Sequence, residues 1–154
     1  MRYIEKIEVQ LNQIEKFLDR SKSENTSVSK ANVGWHIDHS LKVLNGVSGA
    51  LQKSDVNAYE YKFNKWRFIC LTFSFFPRGR AKAPKAVLPP EIINDADLKN
   101  QLKSVRTHIP NLNQLSKDAN FKHPYFGILN KKQTLKFMSL HTEHHLKIIR
   151  DILR

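Results

Sequence analysis

The chain is short of cysteine, glycine, acidic residues and long apolar runs, and each shortage closes off a class of protein. A single cysteine, Cys70, among 154 residues forms no internal disulfide, so the fold is expected to need no oxidising compartment. Its place in an apolar stretch suits a core residue better than a nucleophile. The five glycines make neither a phosphate-binding loop nor a dinucleotide fingerprint. No Ser-His-Asp order of a hydrolase is present either. The longest apolar run, from Phe68 to Phe76, is far too short to cross a bilayer. The N-terminal MRYIEKIEVQ alternates charged with apolar residues and lacks the apolar stretch of a signal peptide. A cytoplasmic protein with no membrane partner is expected.

Acids number 14 against 26 Lys and Arg, a formal charge of +12. Such an excess speaks of partners and solubility, not of fold. Its densest cluster is PRGRAKAPK, residues 77–85, which carries Arg78, Arg80, Lys82 and Lys85 with no acid and no interleaved aromatic residue. A single-strand stacking platform would need those aromatics, and no helix-turn-helix, zinc-finger or RNP pattern occurs elsewhere. Nucleic-acid binding is therefore the weakest of three functional readings. With 40% hydrophobic and 26% charged residues, the chain has the composition of one globular domain over residues 1–154.

What is present is helical periodicity. Ile4, Ile7, Leu11, Ile14 and Leu18 recur at three- and four-residue steps and predict a helix over 3–20. The Ser/Asn/Thr-rich stretch 21–29 breaks it. A second helix is expected over 29–51, weakened by Gly46 and Gly49. A third, over 58–75 through Tyr59, Phe63, Trp66, Ile69, Cys70 and Phe73, should stop at Pro77. Residues 77–93 hold four of the six prolines and form one long loop. A helix from Asp95 follows Leu98, Leu102, Val105, Ile109 and Leu112, with Pro110 expected to kink it or end it early. The last helix starts at Asn130, with Gln133 as its capping-box partner, and runs to Leu153. No segment alternates as a strand. The expected fold is all-α: a four-helix bundle with an extra helix and a long Pro/basic loop.

The last helix carries Leu140-His141-Thr142-Glu143-His144-His145-Leu146. At 100° per residue His145 lies about 40° from His141, and both fall inside the stripe made by Met138, Ile149 and Ile152. Two inward imidazoles one turn apart can give a nitrogen each to one metal ion, or be satisfied by core hydrogen bonds instead. His144 lies on the flank. A third ligand can come from the second helix, which offers His36 and His39, and periodicity slightly favours His36 as the more inward. Three histidines and no carboxylate would leave a divalent ion, zinc or nickel, with its full charge and an open position for water or substrate.

Three segments together resemble the DinB/YfiT-like superfamily of metal-dependent enzymes, most nearly a branch of it known mainly as a domain of unknown function. They are SVSKANVGWHIDHSLKVLN, PRGRAKAPK and HPYFGILNKKQTLKFMSLHTEHHLKIIRDIL. The resemblance implies an up-down-down-up four-helix bundle, often a homodimer. It also implies a metal held by His39, His141 and His145, where periodicity had favoured His36; His36 and His144 stay as alternatives. Similar proteins include transferases and isomerases that use a low-molecular-weight thiol. The leading expectation is thus metal-assisted thiol transfer or hydrolysis on a small-molecule substrate. A non-catalytic ligand-binding or scaffold protein of the same fold is the second reading. His123, in the HPYFG turn, either shapes that turn or stands at the mouth of the site, where it supports a metal ligand or faces the substrate. Arg78, Arg80, Lys82 and Lys85 are candidates for holding an anionic substrate.

Overall fold

The computed structural model describes residues 2–78 and 84–154, so Arg80 and Lys82 lie outside the described residues. Five α-helices and one short hairpin make up its regular structure: α1 (Arg2–Phe17), α2 (Val33–Gln52), α3 (Lys65–Phe73), α4 (Asp95–Asn111), β1 (Asn120–His123), β2 (Gly127–Asn130) and α5 (Lys131–Ile152). Helix α1 packs on α5 and α4, and α2 packs on the same two helices. Between them lies a continuous apolar core.

Each long helix buries the stripe that its sequence spells. Ile4, Ile7, Leu11 and Ile14 of α1 are inside, as are Leu98, Leu102, Val105 and Ile109 of α4. Gln10 is the polar exception in the α1 stripe; its amide donates to the Ser139 carbonyl at 3.0 Å and ties α1 to α5. Helix α2 starts four residues later than expected. Asn32 caps it by accepting from the Trp35 N–H at 2.9 Å, and the helix continues through Gly46 and Gly49 to Gln52. Gly34 lets its first turn lie against the preceding segment: a Cβ there would stand 3.0 Å from the Ser21 carbonyl oxygen. Pro110 sits in the last turn of α4, and a 3-10 turn follows over Leu112–Gln114. The capping box of Asn130 and Gln133 opens α5 as expected.

Two expectations need correction. The first is the absence of strands. Residues 120–130 form an antiparallel hairpin in which Phe121 faces Leu129 and His123 faces Gly127. Strands of four residues place only two side chains on each face, too few for alternation to register. The turn is closed by an imidazole, since His123 Nδ1 accepts from the N–H groups of Tyr125 and Phe126 at 3.1 and 3.2 Å. Gly127, at φ +68°, takes the left-handed conformation that favours glycine.

The second correction concerns residues 58–75. The helix begins only at Lys65, capped by Asn64, and ends at Ser74 in a left-handed conformation. Its apolar stripe does not face the core. Trp66, Phe68 and Phe73 are exposed, whereas Arg67 and Leu71 are buried. Arg67 accounts for this inversion. Its guanidinium donates to the carbonyls of Phe126 and Ile128 at 3.3 and 2.8 Å and also to that of Lys62. A cation with those partners is satisfied inside, and burying it turns the aromatic side outward. Cys70 is half-buried against the core, and desolvation raises its thiol pKa.

Candidate metal centre

The second and last long helices bring four imidazoles into contact. His36 and His39 project from the first half of α2, and His141 and His145 from the middle of α5. Among the described residues, His39, His141 and His145 each offer one ring nitrogen, and the three lie within 4.8 Å of one another. His39 Nε2 and His141 Nε2 are 3.3 Å apart. Two nitrogens bound at about 2.0–2.1 Å to a tetrahedral ion stand about 3.3–3.4 Å apart, so this pair already has the spacing of a shared ion. The bound on the full set is wider than that edge, and holding an ion would draw the rings together.

The hydrogen bond on the His39 ring fixes which of its nitrogens carries hydrogen. Val87 offers His39 Nδ1 a carbonyl oxygen at 2.8 Å. A carbonyl only accepts, so His39 Nδ1 donates and, in the neutral ring, Nε2 keeps its lone pair. His145 Nδ1 meets His36 Nδ1 at 3.0 Å, and His36 Nε2 meets Ser29 Oγ at 3.0 Å. The Ala31 N–H also donates to Ser29 Oγ, at 3.1 Å. His141 has no such support: its Nδ1 is buried without a hydrogen-bond partner among the described residues. Aromatic rings wall the group, with Trp35 stacked on His39 at 5.1 Å and Phe137 set 5.6 Å from His141.

Burial makes the cluster neutral. Desolvation, then the charges of His39, His144 and Arg78, push the His36 pKa down to about 4. Desolvation and the neighbouring histidines hold His141 and His145 well below the ordinary 6.5. His39 is lowered by desolvation, against the opposing pull of the Val87 carbonyl. Neutral imidazoles are the form in which a metal accepts a ring nitrogen. The three-histidine set contains no carboxylate; Asp38, though buried beside His39, accepts from Gln101 and pairs with Lys42, each at 2.7 Å. A set of neutral nitrogen donors with one orphaned ring nitrogen among them fits a borderline-soft divalent ion.

The remaining sequence candidates fall around this centre. His36 touches the set from outside, through His145. His144 lies on the flank and has its pKa lowered by desolvation and by Arg78, against a hydrogen bond with the Phe76 backbone. His123 stacks on Phe126 at 4.4 Å and meets Phe137 at 4.7 Å, so it closes the hairpin turn and supports an aromatic layer beside His141. Burial moves its pKa down to about 4. The basic loop reaches the cluster from both ends, through Phe76 and Arg78 on one side and Val87 on the other. Arg78 itself is engaged by Asp151 at 2.7 Å, while Lys85 is exposed. Sequence reasoning missed Ser29, Trp35 and the Val87 carbonyl. The last is a backbone group, which no residue pattern can announce.

A mostly helical protein with a buried histidine cluster is the class that this fold and site define. Residues 67–151 match the family described as "Protein of unknown function (DUF1569)", and the chain belongs to that family. This corrects the resemblance to the DinB/YfiT-like superfamily, which is a different family. The quoted histidine and Pro/Arg segments do not distinguish the two, because two histidines one helical turn apart are an unspecific motif. No curated protein and no solved structure matches the chain.

Proposed function

We propose that His39, His141 and His145 hold one divalent ion, zinc or nickel, in a four-helix bundle, and that the protein is an enzyme acting on a small molecule. The observation that carries this reading is the convergence of three neutral imidazole nitrogens from two helices. A metal with three neutral ligands and an open position supplies a Lewis acid and an activated nucleophile, water for hydrolysis or a thiol for transfer.

The chain's own residues do the rest. Val87 holds the His39 ring so that Nε2 presents a lone pair. His36 does the same for His145: with His145 Nδ1 donating to His36 Nδ1, and His36 Nε2 donating to Ser29 Oγ, the His145 Nε2 is left free of hydrogen. Trp35 and Phe137 keep water from the rings that they cover. Two described cations of the basic segment, the exposed Lys85 and the Asp151-paired Arg78, favour an anionic substrate.

Metal analysis of the purified protein and of His141→Ala tests the reading. One ion per chain is expected in the wild type, with a large loss in the variant. Equal content in both, or none in either after preparation without chelators, overturns it.

A further inference from the structure

Helix α3 is built the wrong way round for a helix of a water-soluble surface. Trp66 and Phe73, 64% and 72% exposed, share one side of it, while Phe68, also exposed, projects from another side and lies 6.2 Å from Phe63. Phe63 before the helix and Phe75 after it are also exposed. Surfaces rarely gather large rings in this way unless something covers them. The helix is not loosely attached: buried Arg67 fastens it to the hairpin through the carbonyls of Phe126 and Ile128. The aromatic face is therefore held in place and not merely left over.

Charge says what kind of partner fits. From Tyr61 to Pro90 the sequence holds no Asp or Glu. Lys62 and Lys65 flank the rings, Lys62 pairing at 3.1 Å with the exposed Glu60 that precedes the stretch, and Arg78, paired with Asp151, and Lys85 follow in the adjoining segment. A second copy of this chain would bring the same cations face to face, at an electrostatic cost. A single nucleic-acid strand stacks its bases along a groove, whereas these rings stand on the outer side of a helix. Rings that enter an apolar layer while lysines remain in its anionic boundary match an interfacial helix.

We propose that α3 and its flanks form a docking surface for an anionic lipid bilayer, on which the protein sits without crossing it. No helix among the described residues is long and apolar enough to cross a membrane, and an interfacial contact needs none. The proposal is independent of whether the histidines hold a metal.

Vesicle co-sedimentation of the full chain tests it, using phosphatidylcholine vesicles with and without phosphatidylglycerol at low salt. Binding is expected to the mixed vesicles and at least about tenfold less to phosphatidylcholine alone. The Trp66→Ser/Phe73→Ser variant, altered only at exposed positions, should lose at least about tenfold with its helical circular dichroism intact. Lys62→Glu/Lys65→Glu should lose a similar amount by a separate route and serves if the first variant does not fold. Failure to bind mixed vesicles overturns the proposal, as does binding that survives the aromatic changes. So does a solution dimer that the aromatic variant dissociates, or a single-stranded oligonucleotide held more tightly than the vesicles.

Discussion

Mild acid should unfold this protein when it carries no metal, and the size of the effect follows from its buried histidines. A histidine whose pKa falls on folding binds its proton better in the unfolded chain. Its share of the stability is therefore fully present above about pH 6.5 and is lost as the pH falls from there toward the folded value. His36 is 4% exposed and its pKa moves from 6.5 to about 4. Linkage for this one group removes about 2 kcal/mol at pH 5 and about 3 kcal/mol at pH 4. His141 and His145 are shifted in the same direction, well below 6.5, and each new charge would appear beside the others in a chain already at +12. A domain with a net stability of about 5–15 kcal/mol does not survive several such losses. Urea titrations with a chelator, followed by circular dichroism at about pH 7.5 and about pH 5, should give a far lower midpoint in acid, with unfolding that takes up more than one proton. Coincident midpoints would refute the claim that these rings are buried and neutral. Added zinc should move the acid transition downward, because metal and protons compete for the same nitrogens.

Other substitutions test separate links. Replacing His36 with Ala should weaken metal binding by about 10–100-fold without removing a ligand, and Ser29→Ala should act in the same direction but less; competition against a chromophoric chelator measures both. Arg67→Met should cost about 3 kcal/mol in thermal or urea unfolding, because it strands buried carbonyls that a thioether cannot satisfy; unchanged stability would contradict the account of why α3 faces outward.

The long helices were legible because each buries one stripe at helical period, and the end of the series was legible even to its capping box. Residues 58–75 misled for a physical reason. Periodicity finds an apolar side but does not say whether that side meets the core, and here the hydrogen bonds of one arginine decide the matter. The hairpin was too short to show a period. At the site, the inward placement of His141 and His145 follows from the α5 stripe. The difference between His36 and His39 does not, since both are buried and what separates them is which ring nitrogen faces which neighbour. That depends on Ser29 and on the backbone of Val87, groups far from any pattern in the histidines themselves.

X-ray absorption of the zinc-loaded protein bears most directly on the metal centre. Three imidazole nitrogens at about 2.0–2.1 Å, with one further light atom in the open position, are predicted. A first shell without imidazole scattering, or one in which replacing His39, His141 and His145 in turn changes nothing, would contradict the assignment.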